Sequence, residues 1–231
     1  MSDRVILLDI DLTLLATGGA GMRSLEYMLD ELFGDPRAGE GVSLAGRTDP
    51  EIFGEIMDRL DLADRDRDEA EHRARERYLE LLERELAGAP GFRLCPGLPE
   101  VLDALVERGV LLGLCTGNLE RGARLKLARG NIDRYFEFGG FGEDGPDRAD
   151  VARAAVRRAG RRLGERADPD STWIVGDTPR DVSAAHAAGV RALAVATGHH
   201  DAAALQACGA DRVLADLAVP GWIDEIFPIA G

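Results

Sequence analysis

The sequence predicts an α/β protein, with a doubly wound, Rossmann-like parallel sheet as its core and an inserted all-helical cap domain. Two observations lead to this prediction. Short apolar runs that end in polar turns recur along the chain, with helical patterns between them, and this alternation is typical of parallel α/β sheets. Residues 16–95 interrupt the alternation with helical patterns alone. We therefore assign residues 1–15 and 96–231 to the core and residues 16–95 to the cap.

Continuous apolar runs indicate the strands of the core. The first run, at 5–8, ends at Asp9 and is typical of a strand buried on both faces. Similar runs predict strands at 110–115, 172–175 and 190–195, a weaker one at 212–214, and a further strand near 136–141. Helices are predicted between them at 98–108, 119–129, 149–162 and 180–188, the second with Asn118 as its N-cap. In such sheets the ligand lies beyond the carboxyl ends of the strands.

The region between the first two core strands is predicted to be helical. Helices are expected at 21–33, 49–60 and 67–86, and no strand is expected among them. In the third helix, apolar residues recur at three- and four-residue spacing, which indicates a helix that packs on one side. A glycine-rich hinge at 18–21 and a linker at 89–97 would join this cap to the sheet.

Composition and charge exclude several classes of protein. The 231-residue chain carries a net charge of −14 and has a pI near 4.7. It therefore lacks the basic footprint that binding to nucleic acids or acidic membranes requires. Neither a secretion signal nor a membrane-spanning apolar run is visible. We expect a cytoplasmic protein, monomeric or homodimeric, with no nucleic-acid or membrane partner.

Two carboxylates, Asp9 and Asp11, follow the first predicted strand. Carboxylates this close repel each other unless a cation lies nearby. With a cation and a phosphorus centre between them, the first can attack and the second can act as an acid toward the leaving oxygen. The alternative interpretation is a polar strand-to-loop exit with aspartates in turn positions.

A second acidic pair, Asp177 and Asp181, follows the strand predicted at 172–175. Asp177 is placed to bind Mg²⁺, a hard cation that prefers oxygen ligands and often uses one or two carboxylates. Asp181 lies at the start of the next helix. It would cap that helix, orient the waters of the metal, or do both.

Between the two acidic pairs, Thr116, Gly117 and Asn118 form a polar turn between a strand and a helix. Their hydroxyl and backbone amides form the kind of cradle that binds a phosphate. Turns of this kind are common, so the prediction depends on the other two motifs.

In their order along the chain, the three motifs resemble those of the haloacid dehalogenase superfamily. The resemblance covers essentially the whole chain and is closest to the phosphoglycolate-phosphatase-like members, whose helical cap lies between the first and second motifs. It implies a Mg²⁺-dependent phosphatase whose substrate is a small phosphorylated metabolite. Fold and cofactor are thus expectations that the structure can test.

The resemblance also implies a role for each motif residue. Asp9 would be the nucleophile and a metal ligand, and Asp11 the general acid and base whose carbonyl oxygen binds the metal. Thr116 would hold the phosphoryl oxygens, with Gly117 and Asn118 beside it in the substrate site. The second acidic pair, which corresponds to the fourth motif of the family, would complete the metal site through a direct ligand, Asp177, and a supporting one, Asp181.

The third motif of the family departs from its usual pattern here. It usually supplies a lysine, in a Lys-Pro segment before a helix, but the corresponding segment, 142–148, contains none. Arg148 is the candidate substitute, since its permanent charge can do the electrostatic work with a different geometry. A surface salt bridge is the alternative. Lys126, the only lysine of the chain, is expected to be solvated on the helix after Thr116.

Two other positions bear on the resemblance to this family. Leu12 stands where the family usually has glycine, which would reshape the loop without removing a functional group. In the predicted cap, the segment 46–49 resembles a substrate-specificity loop, in which Arg47 would meet a carboxylate or phosphate of the substrate. The alternative is a helix start capped by Thr48 or Asp49.

Three competing functions remain. A haloacid dehalogenase shares the nucleophile but has no use for an acid two residues later, so Asp11 argues against it. A phosphomutase uses the same acidic pair and differs mainly in how its cap limits water. A non-catalytic, phosphate-binding or regulatory protein on the same fold is favoured only by the missing lysine.

Overall fold

Six parallel strands form the central sheet of the computed structural model, which describes residues 4–60, 62, 64–164 and 166–228. The strand order in this sheet is β5-β4-β1-β6-β7-β8, and a separate two-stranded ribbon pairs β2 with β3. The strands are β1 (Val5–Leu8), β2 (Leu15–Thr17), β3 (Phe92–Leu94), β4 (Leu111–Cys115), β5 (Gly139–Gly140), β6 (Thr172–Gly176), β7 (Arg191–Val195) and β8 (Arg212–Leu214).

Helices connect these strands. They are α1 (Ala20–Phe33), α2 (Asp49–Arg59), α3 (Asp64–Ala87), α4 (Glu100–Glu107), α5 (Glu120–Arg129), α6 (Arg148–Leu163), α7 (Pro179–Ala187), α8 (Ala202–Ala207) and α9 (Trp222–Ile226). In the described part of the chain, no helix combines the length and the apolar composition that crossing a membrane requires.

The two faces of the sheet bury separate hydrophobic clusters. Ile6 and Leu8 of β1 point toward the cluster formed with α4, α5 and α9. Val5 and Leu7 point the other way, into the cluster formed with α6, α7 and α8. Successive side chains of a strand point to opposite faces, so a central strand with helices on both sides must be apolar throughout. The doubly wound Rossmann-like sheet is confirmed.

Helices α1, α2 and α3 lie between β2 and β3 and share a third hydrophobic cluster. This arrangement is consistent with an inserted cap. The division into 1–15 with 96–231 and 16–95 stays a prediction, and residues 1–3 and 229–231 of it lie outside the described part of the chain.

The expectation that the inserted region contains helices alone is wrong, because it also contains most of the β2–β3 ribbon. Leu15 pairs with Leu94 and Thr17 with Phe92, in antiparallel register. Each strand has three residues, too few to show a period-two pattern, and its partner is distant in sequence. The pairing arises because the chain enters and leaves the helical region at the same place.

Leu12 adopts a left-handed backbone conformation, with φ of 60°. This conformation costs a residue with a Cβ about 1–2 kcal/mol and suits glycine, the residue usual in the family. Two hydrogen bonds hold it: the Leu12 amide donates to the carbonyl of Leu15 at 2.8 Å, and its carbonyl accepts from the hydroxyl of Thr197 at 2.5 Å. The leucine thus keeps the turn that the family builds with glycine.

Candidate active site

The polar motifs meet because three neighbouring strands end side by side. In the order β4-β1-β6, the strands are followed by Thr116, Asp9 and Asp177, respectively. All three residues are buried. The structure therefore places the candidate nucleophile between the candidate phosphate-binding turn and the candidate metal ligand.

Asp9, Asp177 and Asp181 form a buried cluster whose oxygen atoms lie within 4.8 Å of one another. The pKa of Asp9 is raised to about 7. Burial is the main cause, the charge of Arg148 opposes it, and the charges of Asp181 and Asp11 add to it. Burial and the charges of Asp9 and Asp181 raise the pKa of Asp177 to about 8. The cluster holds more negative charge than the surrounding protein neutralises, and its oxygen donors suit a hard divalent cation. These residues therefore fit Mg²⁺.

Magnesium should raise the melting temperature more at pH 8 than at pH 6. Asp9 and Asp177 have raised pKa values in the folded chain, so between their usual values and about pH 8 the folded state binds more protons than the unfolded state. The stability that these two groups contribute therefore falls as the pH rises through this window. At pH 6 the metal must displace their protons, and at pH 8 it finds carboxylates.

Thermal unfolding with Mg²⁺ and with EDTA at both pH values measures this effect. Asp177→Asn should lose most of the magnesium-dependent shift, whereas Asp30→Asn, on the exposed face of α1, should keep it. A magnesium-dependent shift that is the same at both pH values would contradict the prediction.

Arg148 is the first residue of α6 and lies against the nucleophile. Its Nη2 atom is 3.4 Å from Oδ1 of Asp9, hydrogen bonds to Asp181, and lies 3.4 Å from the carbonyl oxygen of Cys115. Its side chain is 6% exposed, so it is no surface salt bridge. The neighbouring carboxylates hold the pKa of its guanidinium above the usual value despite the burial that lowers it. A fixed positive charge thus stands beside Asp9 in a segment without lysine.

The expectation that Lys126 is solvated is wrong. Its side chain is 6% exposed, and its Nζ atom lies 2.6 and 2.9 Å from the two carboxylate oxygens of Asp11. The reason is its position on α5, where it shares the buried face with Ala123 and Leu127. Spacings of three and four residues define one helix face, so the sequence did carry a signal that this lysine points inward.

The prediction that Asn118 is the N-cap of α5 is wrong. Leu119 takes the N-cap position without a side-chain cap. The side-chain amide of Asn118 instead donates to Oδ2 of Asp11 and to Oγ1 of Thr116, both at 2.8 Å, and its oxygen accepts from Lys126. Because Oγ1 of Thr116 accepts from the side-chain and backbone amides of Asn118, its hydroxyl proton stays available for a phosphoryl oxygen.

Asp11 is held by a cation and an amide rather than by another carboxylate. Burial acts to raise its pKa, but the charge and hydrogen bonds of Lys126 and the hydrogen bond from Asn118 outweigh that effect and lower it. Its side chain is 43% exposed toward the cavity. Asp9 and Asp11 therefore lie in different surroundings, one buried beside Arg148 and the other open and paired with Lys126.

Asp181 is not the N-cap of α7. Thr178 takes that position, and the two residues form a reciprocal capping box: the Thr178 hydroxyl accepts from the Asp181 amide, and Oδ2 of Asp181 accepts from the Thr178 amide at 3.1 Å. The other carboxylate oxygen bonds to Arg148. Asp181 therefore links the start of α7, the charge beside the nucleophile and the acidic cluster.

The loop before α2 is docked on the turn after β4. The Asp49 amide donates to the carbonyl of Gly117 at 2.7 Å, and its carboxylate accepts from the Leu119 amide at 2.8 Å. A side chain at Gly117 would approach the carbonyl of Arg47 within 2.1 Å, so only glycine allows this contact. Burial raises the pKa of Asp49 to about 6, against the charge of Lys126.

Arg47 lines the cavity, but its guanidinium is engaged by residues of α2. It pairs with Glu55, lies 3.9 Å from Glu51, and donates to the carbonyl of Glu51 at 3.2 Å. Thr48 caps α2, with Glu51 completing the capping box. The interpretation of this segment as a helix start is therefore confirmed, and the role of Arg47 in meeting a substrate stays a prediction.

A cavity of about 450 Å³ lies between the sheet and the inserted helices. This volume falls within the range of small-molecule sites. Asp9, Asp11, Lys126, Arg148 and Asp177 line it on the sheet side, and residues of α1, α2 and α3 line it on the other. The described structure thus encloses the candidate nucleophile in a space for a small ligand.

Residues 6–195 match a family model described as haloacid dehalogenase-like hydrolase. The chain belongs to this family. The placement of the acidic motifs at neighbouring strand ends agrees with that membership. A search of curated proteins found no match to this hydrolase.

Solved structures share the fold of this haloacid dehalogenase-like hydrolase. A predicted phosphoglycolate phosphatase from Haemophilus somnus 129pt superposes with a TM-score of 0.69 at 19% identity, over 94% of this chain and 96% of that chain. CbbY from Rhodobacter sphaeroides, in complex with phosphate, gives 0.67 at 21% identity, over 94% and 96%. A Thermotoga maritima protein assigned as a β-phosphoglucomutase gives 0.61 at 20% identity, over 93% and 95%. At these identities the likeness concerns the fold.

Proposed function

We propose that this haloacid dehalogenase-like hydrolase is a Mg²⁺-dependent phosphatase that hydrolyses a small-molecule phosphate monoester through an aspartyl phosphate on Asp9. The placement of Asp9 supports this proposal most directly. Its carboxylate lines an enclosed cavity, with Arg148 at 3.4 Å and the acidic cluster within 4.8 Å. A buried carboxylate with positive charge on one side and a candidate cation site on the other is suited to attack a phosphate dianion.

In the first step, an oxygen of Asp9 forms a bond to phosphorus as the bond from phosphorus to the alcohol oxygen breaks. Asp11, whose pairing with Lys126 lowers its pKa, takes up a proton from solvent when the substrate binds and gives that proton to the departing oxygen. In the second step, Asp11 takes a proton from water as the water oxygen bonds to phosphorus and the bond to Asp9 breaks. Phosphate leaves, and both side chains return to their starting state.

Several groups of this chain would bind the phosphoryl oxygens. Thr116 has its hydroxyl proton available, and the Gly117 amide makes no hydrogen bond within the described residues. Arg148 adds permanent charge beside Asp9. Positioning and charge neutralisation of this kind supply most of the acceleration in phosphoryl transfer.

Magnesium would be held by Asp9, Asp177 and the carbonyl oxygen of Asp11, with Asp181 acting directly or through water. When bound, it would neutralise the charge of the phosphoryl group and of the surrounding carboxylates. The raised pKa values of Asp9 and Asp177 support this assignment, because burial and the neighbouring carboxylates disfavour the ionised forms, which a bound cation would stabilise.

Phosphate release from a panel of alkyl and aryl phosphates, with Mg²⁺ and with EDTA, tests the proposal. Release should require the metal. Incubation of Asp11→Asn with acetyl phosphate and Mg²⁺, followed by acid quench and peptide mass analysis, should show one added phosphoryl group on the peptide that contains Asp9, because water is no longer activated. Release that persists in EDTA would contradict the role of the metal.

A phosphomutase is the second candidate. The fold shared with the Thermotoga maritima protein and the inserted helices that line one side of the cavity favour it. Transfer of the phosphoryl group from a sugar bisphosphate to a sugar monophosphate, in excess over release of phosphate, would identify a mutase. A non-catalytic role loses its main support, since Arg148 supplies charge where lysine is missing. The cytoplasmic location and the monomeric or homodimeric state stay predictions.

Lys126→Met should lower the kcat/KM of alkyl phosphates at least about 10-fold, and that of acetyl phosphate less. Lys126 and Asn118 hold the carboxylate of Asp11, and a positioned acid matters most when the leaving alcohol needs a proton. kcat/KM reports the steps up to departure of that alcohol. Arg121→Met, exposed on the same helix, is the matched control. Equal losses for both substrates would contradict a role in positioning the acid.

A further inference from the structure

The wall of the cavity opposite the carboxylates is largely apolar. Met22 and Leu25 of α1, Ile52 and Phe53 of α2, and Leu44 of the loop between these helices line it. Met22 is exposed, Leu44 is half-buried, and the other three are buried. A polyol would leave most of its hydroxyl groups without partners against such a wall, at a cost for each buried group. The wall matches an apolar surface.

Tyr78 adds a polar atom to this wall. Tyr78 of α3 lines the cavity and is 7% exposed, and its ring packs edge-on against Phe53 with a centroid distance of 5.5 Å. Within the described residues, its hydroxyl has no hydrogen-bond partner. Burial, followed by the charges of Asp49 and Asp11, raises the pKa of this hydroxyl well above its usual value. Tyr78 thus presents a neutral hydroxyl, fixed by its ring, to whatever fills the cavity.

The cationic side chains near this wall are already paired or lie at the rim, so they do not favour a substrate that carries a carboxylate. Arg47 is paired with Glu55 and Glu51, and Lys126 is paired with Asp11. Arg93 of β3 lines the cavity but is exposed, which places it at the rim. The inner part of the wall therefore offers apolar contact and one hydroxyl.

We propose that this site takes phosphate monoesters whose alcohol part is aromatic, or apolar to a similar degree, and carries one atom that hydrogen bonds with Tyr78. Polyol phosphates and carboxylate-bearing phosphates are poor substrates. This inference rests on the proposed phosphatase function and narrows its substrate class. Met22, Leu44 and Phe53 would contact the apolar group, and Tyr78 would set its orientation.

The first test compares kcat/KM for benzyl phosphate with that for glycerol 3-phosphate and 2-phosphoglycolate, all in Mg²⁺. All three are esters of primary alcohols, so binding of the alcohol part is the main difference. Burial of the ring should favour benzyl phosphate about 10- to 100-fold. Equal or faster turnover of either polar ester would overturn the proposal.

The second test uses variants, each judged by the ratio of its own kcat/KM values. Leu44→Gln should lower the ratio of benzyl to glycerol phosphate at least about 5-fold, through lost apolar contact. Val106→Gln, exposed on α4, should keep the wild-type ratio. Because the ratio compares two substrates on the same protein, a smaller folded fraction of Leu44→Gln lowers both kcat/KM values equally and leaves the ratio unchanged.

Pyridylmethyl phosphates test Tyr78, because they match benzyl phosphate in shape and add one acceptor nitrogen. At least one of the three isomers should exceed benzyl phosphate in the wild type and lose that advantage in Tyr78→Phe. Tyr27→Phe, exposed on α1, should retain it. An advantage that survives in Tyr78→Phe, or that no isomer shows, would overturn the role of Tyr78.

Acetyl phosphate separates failure of this inference from failure of the proposed function. Its small leaving group scarcely uses the apolar wall, so it reports the chemistry at Asp9. Magnesium-dependent turnover of acetyl phosphate with a preference for polar esters would overturn the substrate class alone. Absence of turnover with acetyl phosphate and with every ester would overturn both.

Discussion

Asp9→Asn should reduce phosphate release at least about 10³-fold, the scale on which removal of a nucleophile acts in enzymes with covalent intermediates. The amide fills the same space but cannot form the bond to phosphorus. The loss should appear in kcat and in kcat/KM for every substrate, including acetyl phosphate. Rates with Mg²⁺ at pH 7 and 8, with the phosphoryl-enzyme followed by mass, measure it.

The same substitution should not unfold the chain. The raised pKa of Asp9 means that its ionised form is disfavoured in the metal-free fold, so a neutral side chain relieves that cost above pH 7. Metal-free Asp9→Asn should therefore melt at or above the wild-type temperature at pH 8. Asp30→Asn, exposed on α1, should keep full activity. An active Asp9→Asn protein would rule out the aspartyl-phosphate mechanism.

Arg148→Met should reduce both activity and stability. Removal of its charge leaves Asp181 and Asp9 buried without their cation, and loss of one partner of a buried pair typically costs about 3–5 kcal/mol. Activity should fall at least about 10²-fold, because a preorganised charge beside the nucleophile is lost. Denaturant unfolding and kcat/KM measure the two effects.

Arg153→Met is the matched control for Arg148, since it lies on the same helix and is 44% exposed. Its stability should stay within about 0.5 kcal/mol of the wild type. Arg148→Lys should recover part of the activity, because it restores a positive charge but not the planar guanidinium whose Nη2 atom contacts Asp181 and the Cys115 carbonyl. Wild-type activity in Arg148→Met would show that catalysis does not depend on the charge of Arg148.

The sheet was predictable because its signals are local. Each buried strand is a continuous apolar run, and the polar residues that follow it must lie at one edge of a parallel sheet. Asp9, Thr116 and Asp177 could therefore be brought together from sequence. The family resemblance placed Arg148 near them, although an arginine there could equally have formed a surface salt bridge.

The remaining features depend on contacts between distant segments. The β2–β3 ribbon is too short to show a pattern, and it forms because the inserted helices bring Leu15 and Leu94 together. Asn118 fits an N-cap by local rules, but Asp11 and Lys126 compete for its amide. The charge of Lys126 predicts a solvated side chain, whereas its position on the helix, beside Ala123 and Leu127, places it on the buried face.

The central position of β1 has a consequence for how the chain folds during synthesis. β1 pairs on one side with β4, through Val5 and Leu111, and on the other with β6, through Val5 and Thr172. Both contacts are distant in sequence, and closing such long loops slows folding. The strand that carries the nucleophile therefore has no partner until the ribosome has made β4, and its second edge stays unpaired until β6 is made, whereas helices α1–α3 can already form their own hydrophobic cluster.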